Sequence, residues 1–382
     1  MRILHIVYDH INNPALGGGS AVRTHEVYKR LVSRHDVTVI TARWPHGPRE
    51  QVIEGVHYRH VGVPHRGDPM RILFSGPMNW YAARRDADLV VVDVSPYTPW
   101  LPVGLGRRAG IALVQNWPSR EVTKRKYGAL GLMGHHAWRW TLRHCLHFIA
   151  VSPSIAARIQ ETVAGLVSLY VIPYGVADEY HSVPRRRPRH VLYLGRLDLH
   201  QKGLDLLIAA YARYRQLGGA FDLVVAGSGA SEEVVRALAR PLAEHVRFAG
   251  RVQGRTKIGL LSEALYLCMP SRYEGWGMVA TEAAACGTPT IAFDVDGVRD
   301  AVVNGVTGVL IPPFDLDAYS RAMLHLERDA ASRTRLATAA RQRARQFTWE
   351  RTAHLQEQAY KEVAGIPRIA GQAHGEHWPA SG

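Results

Sequence analysis

Short apolar runs rich in Val, Ile and Leu recur along this chain, and stretches of helical periodicity separate them. In the first half the runs Ile3–Tyr8, Val37–Thr41, Val56–Val61, Leu89–Val94, Ile111–Val114, Phe148–Val151 and Leu169–Ile172 predict strands. Between them, Ser20–Leu31 and Ser154–Val163 carry apolar residues at helical spacing. Runs that are apolar throughout are buried on both faces, which predicts parallel sheets covered by helices on each side. The stretch Val183-Pro184-Arg185-Arg186-Arg187-Pro188-Arg189 has no apolar period and predicts a linker at 184–189. The pattern then restarts with His190–Leu194, Leu223–Ala226, Val246–Ala249, Leu265–Met269, Thr290–Phe293 and Val309–Ile311. An amphipathic segment, Trp349–Val363, follows the last run, and a Gly-, Pro- and His-containing tail at 365–382 is expected to be loose.

The expected organisation is two doubly wound, Rossmann-like α/β domains in tandem. They cover 1–183 and 190–347, with a final helix within 348–364. In such sheets ligands bind beyond the carboxyl ends of the strands. Two such domains are expected to face each other across a ligand-binding cleft.

Composition supports a folded chain: 382 residues, 47% hydrophobic and 21% charged. The three cysteines, Cys145, Cys268 and Cys286, form no CxxC pair, so neither a disulfide framework nor a Cys-rich zinc site is expected. That fits a reducing cytoplasm. The opening MRILHIVYDH lacks a secretory apolar core, and no run of about 18 apolar residues predicts a membrane span.

The formal charge is +14, and 41 of the 47 basic residues are Arg. A GC-rich genome encodes such an Arg excess whatever the function, so total charge alone does not identify a partner. No nucleic-acid-binding module accompanies it. Residues 101–150 are uneven, with eight Arg or Lys and one acid, Glu121. Within 120–148, Trp138, Trp140, Leu142 and Phe148 mix with Arg139 and Arg143. This is either an ordinary helix with one buried stripe or a helix that lies on a membrane surface.

Three places carry candidate chemistry. The exit of the first strand reads Gly17-Gly18-Gly19-Ser20, where a backbone and its amides approach a ligand closely. The second domain opens with Gly195-Arg196 and then Lys202-Gly203 before a helix. Two cations at a strand-to-helix turn suit a diphosphate, Arg as a planar fork and Lys as a point charge. Residues 269–290 place Glu274-Gly275-Trp276-Gly277 before a helix starting near Met278, so the amides of Gly277, Met278 and Val279 are open donors for a developing negative charge. Glu282 lies eight residues after Glu274 among alanines, where a carboxylate suits a ribose diol.

The order of these segments resembles glycosyltransferase family 4, the retaining group with the GT-B fold. The likeness rests on IAVSPSIAARI at 149–159, VIPYGV at 171–176, YLGRLDLHQKGLDLLI at 193–208 and VVAGSG at 224–229. It continues with VRFAGRV at 246–252, MPSRYEGWGMVATEAAACGTPTIA at 269–292, DGVRDAVVNGVTGVLIPP at 296–313 and FTWERTA at 347–353. The resemblance implies retaining transfer of a sugar from a nucleoside-diphosphate sugar to an acceptor hydroxyl. It implies that Arg196 and Lys202 hold the diphosphate and Glu282 the ribose. Glu274 and the amides after it would contact the transferred sugar, with the nucleobase near Arg251-Val252. The first domain would bind the acceptor, and the helix from Trp349 would return to it.

No metal cofactor is implied, because Arg196, Lys202 and the helix start near Gly277 counter the leaving group's charge. Asp294-Val295-Asp296 looks like a metal-binding DxD, but its position at a strand exit argues for coincidence. One departure concerns the acceptor side. Where many members of the family carry a His, this chain reads Gln115-Asn116-Trp117. Asn116 replaces that His as a hydrogen-bonding group, or His135 of the pair His135-His136 compensates, and Asp9 is a further acceptor-side candidate. A nucleotide-sugar epimerase on the same fold and a non-catalytic nucleotide-sugar-binding protein are the alternatives.

Overall fold

The computed structural model describes residues 1–13, 18–64, 86–96 and 109–365. Gly17 and the tail 366–382 lie outside the described residues. The chain forms two compact units. One is Met1–Gly175 with the helix Trp349–Val363, and the other is Val176–Thr348.

The first unit is built on an eight-stranded sheet: β1 (Arg2–Ile6), β2 (Asp36–Ala42), β3 (Glu50–Ile53), β4 (Val56–Val61), β5 (Leu89–Asp93), β6 (Ala109–Val114), β7 (His147–Ala150) and β8 (Ser168–Val171). Their order is β3-β4-β2-β1-β5-β6-β7-β8. Every pairing is parallel except the β3–β4 hairpin, which turns at Glu54-Gly55 with both residues at positive φ. The apolar runs do not predict β3. Its sequence, EQVI, is a half-exposed edge strand with no buried run to mark it.

The second unit holds β9 (His190–Leu194), β10 (Leu223–Ala226), β11 (Val246–Gly250), β12 (Ala264–Met269), β13 (Thr290–Phe293) and β14 (Gly308–Ile311), in the order β11-β10-β9-β12-β13-β14, all parallel. β9, β10, β12 and β13 are buried along their whole length, as continuous apolar strands covered on both faces must be.

Two expectations are corrected. The first unit ends at Gly175 rather than at 183, because Val176 already bridges Thr348 and its amide donates to the Phe347 carbonyl at 2.9 Å. The predicted linker at 184–189 is instead packed into the second unit. The Arg185 guanidinium donates to the Ser262 carbonyl (2.7 Å), to Thr288 Oγ1 (2.8 Å) and to the Ala264 carbonyl. Burial, with nearby Arg333, lowers its pKa to about 10. A run of Arg and Pro reads as solvated, but one of its guanidinium groups satisfies carbonyls at the end of a helix and the start of β12.

The helix Trp349–Val363 is fixed to the helix Gly19–Leu31 by polar contacts. Arg23, fully buried, donates to Gln356 Oε1 (2.7 Å) and to the Pro173 carbonyl (3.0 Å). The Tyr28 and Tyr360 hydroxyls meet at 2.9 Å. Glu357 receives Arg34 (2.9 Å), His35 (2.8 Å) and Lys361 (3.0 Å). Burial alone would raise the Glu357 pKa, but hydrogen bonds from His35, Lys361 and Arg34 outweigh it and bring it down to about 2. A depressed pKa stabilises the fold above the unfolded carboxyl's pKa of about 4.5, and the gain is lost as pH falls through about 2. Glu357→Gln is therefore expected to lower stability by about 1–3 kcal/mol at pH 7. In urea denaturation the gap to the wild type should close between pH 5 and pH 2; a pH-independent gap would contradict this account.

Candidate functional site

The sheet of the second unit changes direction between β9 and β12: the chain moves outward from β9 to β10 and β11, then returns to β12 on the other side. Such a switch point opens a crevice at the carboxyl ends of the two strands. Gly195 and Arg196 leave β9 there, and residues 270–277 leave β12.

Arg196 is exposed, with its backbone and side chain both held. The Tyr193 hydroxyl donates to the Arg196 carbonyl at 2.7 Å, and Arg196 Nη2 donates to Gln201 Oε1 at 2.8 Å. Asp198 caps the turn Leu199–Lys202 through the amides of His200 and Gln201. Gly203 follows at φ 63°, and a Cβ there would stand 2.2 Å from the Pro270 carbonyl oxygen. Only glycine permits that approach, which brings Lys202 against the β12 exit.

Lys202 Nζ donates to Glu274 Oε1, and Ser271 Oγ donates to the same oxygen at 2.8 Å. Arg272 ties the two loops together. Its guanidinium forks onto Asp205 at 2.9 and 2.7 Å and also reaches the Leu199 carbonyl, and its amide donates to the Gln201 carbonyl at 2.8 Å. The expected diphosphate cation Lys202 and the expected sugar contact Glu274 are thus an ion pair in the free protein.

The helix Met278–Ala285 begins at Gly277, so the amides of Gly277, Met278 and Val279 form its open start. Gly275 and Gly277 flank Trp276, whose side chain is 2% exposed and packs edge-on against Phe347 with ring centroids 5.0 Å apart. The Trp276 side chain is therefore core, which leaves its backbone as the part of the residue that could meet a donor, in keeping with the expectation that the amides after Glu274 make the contact. One turn into the helix, Glu282 is buried. Its Oε1 accepts from Lys257 Nζ at 2.6 Å, and its Oε2 has no partner. Lys257 Nζ lies 5.5 Å from the Tyr180 ring centroid. Burial, then the Glu282 charge, pushes the Tyr180 hydroxyl's pKa far up. Val252 is half-buried immediately past β11, on the same edge of the sheet.

Asp294, of the DxD-like sequence, pairs with Arg299 at 3.0 Å. Among the described residues, no three His, Cys, Asp or Glu side chains gather as a metal site. No disulfide joins the three cysteines, and all three are buried.

The first unit has its own switch point, between β1 and β5. Asp9 lies past β1 and accepts from Ser20 Oγ at 2.7 Å, beside Gly18 and Gly19 at the start of the helix Gly19–Leu31. Asp93 ends β5 and Gln115 follows β6; Gln115 donates to Asp93 and accepts from the Tyr174 hydroxyl. Burial raises the Asp93 pKa against the opposing pull of His5, Arg23 and Gln115. Asn116 and Trp117 come next, half-buried. Trp138 stands edge-on to Trp117 (4.7 Å) and to His135 (5.5 Å), which places His135, itself buried, beside the β6 exit. Burial lowers the His135 pKa, with Arg139 and His136 adding to it.

Ser271, Arg272, Asp205, Gln201, Lys257 and Asp93 join this picture from the structure alone. Asp93 had a sequence signal, a carboxylate at the end of the apolar run LVVVDV. The others are polar residues in polar segments, which periodicity does not distinguish.

Residues 179–343 match the family described as Glycosyl transferases group 1, and residues 17–180 match Glycosyltransferase Family 4. The chain is 29% identical to a glycogen synthase of Mycobacterium tuberculosis, over 94% of each chain. It is 32% identical to a phosphatidyl-myo-inositol mannosyltransferase of Mycolicibacterium smegmatis, over 87% of this chain and 86% of that one. Among solved structures it shares the fold of a sucrose-phosphate synthase from Thermosynechococcus elongatus (TM-score 0.78, 23% identity, 96% and 100% covered). The same holds for HepE from Anabaena in complex with UDP and glucose (TM-score 0.70, 16% identity, 95% and 99% covered).

Gly297, at φ 78°, packs behind the 274–277 loop, where a Cβ would lie 2.5 Å from the Glu274 carbonyl oxygen. Gly297→Ala is expected to cost about 1–3 kcal/mol in thermal denaturation and to displace the loop in a crystal structure of the variant. An unshifted loop at wild-type stability would contradict this packing.

Proposed function

The chain belongs to glycosyltransferase family 4, the group 1 transferases that use nucleotide-sugar donors, and on that premise we propose which of its residues carry the transfer. The supporting observation is the convergence of Arg196, Lys202 and the Gly277–Val279 amides on the adjoining exits of β9 and β12. As the anomeric bond breaks, negative charge grows on the diphosphate and positive charge on the sugar ring. Arg196, Lys202 and the helix start stabilise the first, so the departure requires no divalent metal. Glu282 accepts from the ribose hydroxyls, and the backbone near Val252 meets the base. Glu274 and the backbone of Gly275 to Met278 hold the transferred sugar. Since Lys202 and Ser271 both occupy Glu274 Oε1, Glu274 acts as a positioning group. The acceptor attacks from the face the diphosphate leaves, the leaving phosphate takes its proton, and the anomeric configuration is retained.

The acceptor hydroxyl is assigned to the carboxyl edge of the first unit's sheet, with Asp9, Asn116 and His135 as its polar contacts. The helix Arg120–Arg143, interrupted at Gly128, supports a peripheral membrane contact on the cytoplasmic side. Its buried side contains Gly131, Gly134, His135, Trp138, Thr141 and Leu142. A second apolar stripe, Leu130, Met133 and Trp140, faces outward. Lys124, Arg125 and Arg143 are exposed on the same segment. One buried stripe accounts for an ordinary surface helix, and the outward stripe with its cations suits an anionic interface. Among the described residues no helix is long and apolar enough to cross a membrane.

Incubation with a panel of nucleotide sugars and alcohol acceptors, read by mass shift and by NMR of the product anomer, is expected to give a glycoside with the donor's configuration. An isomerised free donor, or no turnover with any donor, would overturn the reading. Arg196→Ala should reduce kcat/KM by about 100-fold or more. In vesicle sedimentation, Met133→Ser with Trp140→Ser should lower binding to anionic vesicles by about fivefold or more, with little binding of either protein to neutral ones. Equal binding by variant and wild type would remove the membrane contact.

A further inference from the structure

The pair Lys257–Glu282 is half-complete. Both side chains are largely buried, at 18% and 8% exposed, and the contact is a 2.6 Å hydrogen bond to one carboxylate oxygen. An ionised carboxylate has about four acceptor positions. A buried ion pair that served packing alone would have both oxygens satisfied, because an unpaired buried oxygen carries its full desolvation cost. Here Oε2 is buried with no hydrogen-bond partner, and the Tyr180 hydroxyl is the neutral donor nearest the same carboxylate.

The surroundings fix which groups remain available. Lys257 sits one turn into the helix Gly254–Glu263, just after the Arg251-Val252 loop, and Glu282 sits on the helix Met278–Ala285. The Tyr180 ring stands 5.5 Å from Lys257 Nζ and blocks one side of it. The ammonium is thus engaged by a carboxylate and an aromatic face. Its effect on a ligand passes through Glu282, whose second oxygen is left for neutral donors. Two adjacent hydroxyls match that need, since a diol donates twice and brings no charge into the buried site.

We propose that Lys257 is a positioning residue of the donor site, holding Glu282 by one oxygen so that the other is presented to the ribose diol. It thereby sets the preference for a ribonucleotide over its deoxy counterpart. The proposal rests on the assignment of Glu282 to the ribose. A site built to pair a hydroxyl discriminates strongly against a ligand lacking it, because its own polar group is then left buried and unpaired.

The test measures dissociation constants of UDP, GDP and ADP, each against its 2′,3′-dideoxy analogue, by calorimetry. The base bound most tightly by the full-length wild type is then carried through the variants. Wild type is expected to prefer the ribonucleotide by about 30-fold or more, and Glu282→Gln to lose most of that preference. Lys257→Met should lose at least about tenfold of the preference while dideoxy affinity moves less than about threefold. Lys257→Arg, which keeps the cation, should stay within about threefold of wild type. Lys257→Gln is measured beside Lys257→Met, with circular dichroism on each, so that a misfolded variant does not decide the result. A Lys257 variant that folds and keeps the full preference, or weakens both nucleotides equally, overturns the proposal. A wild type with no preference, or a Glu282→Gln that keeps it, overturns the ribose assignment itself and is distinguishable from the first failure.

Discussion

A diphosphate leaves a sugar more readily where positive charge already waits for it, and on the proposed reading that requirement organises the second unit. Free cations on flexible side chains would have to reorganise as the charge grows, which costs the rate that preorganisation saves. Here each cation is fixed by neighbours. Gln201 and the Tyr193 hydroxyl settle Arg196, Glu274 holds Lys202, and the Arg272–Asp205 fork joins the two loops that carry them. Gly203 makes the joining possible by allowing backbone to pass within contact of Pro270. The strand order supplies the place, because β9 and β12 are neighbours whose helices lead in opposite directions.

The two carboxylates of the site are both buried and both paired to a lysine on a single oxygen. Pairing keeps each carboxylate tolerable in a dry environment, where an isolated charge would cost several kcal/mol. Using one oxygen leaves acceptor capacity for hydroxyl donors. The arrangement differs between them in one respect. Glu274 Oε1 takes Ser271 as well as Lys202, whereas Glu282 Oε1 takes Lys257, with the Tyr180 hydroxyl close to the same carboxylate.

Much of this was legible in the sequence, for a definite reason. Parallel strands covered on both faces are continuous apolar runs, so β9, β10 and β13 coincide with the runs that predict them and β12 starts one residue earlier than its run, and the exits bearing Arg196, Asp294 and the 274–277 loop follow from those. Spacing placed Glu282 on the helix after Gly277. What stayed hidden is polar packing. Arg185 reads as linker because its sequence neighbours are Arg and Pro, although its guanidinium is buried against carbonyls of the second unit. Lys257 carries no signal in the sequence, because its partner is 25 positions away. β3 has no signal of its own, since its pairing depends on β4 and on the tight turn between them. The core position of the Trp276 ring is likewise not marked in the sequence, because its partner Phe347 lies about 70 positions away.

The inward turn of Trp276 follows from where its loop is anchored. A loop that presents backbone amides to a ligand must be held from behind, and glycines on each side of Trp276 supply no packing of their own. The indole anchors it by lying against Phe347, while Gly297 lets another backbone segment close on the Glu274 carbonyl. Phe347 is in turn fixed, since its carbonyl receives the Val176 amide and the Arg343 guanidinium lies 5.5 Å from its ring centroid. The amide-bearing turn is therefore braced against the residues where the chain enters and leaves the second unit. An aromatic ring between two glycines is what that bracing asks of the sequence: a backbone free of side chains, with Gly277 at φ 85°, and one large buried side chain to hold it in place.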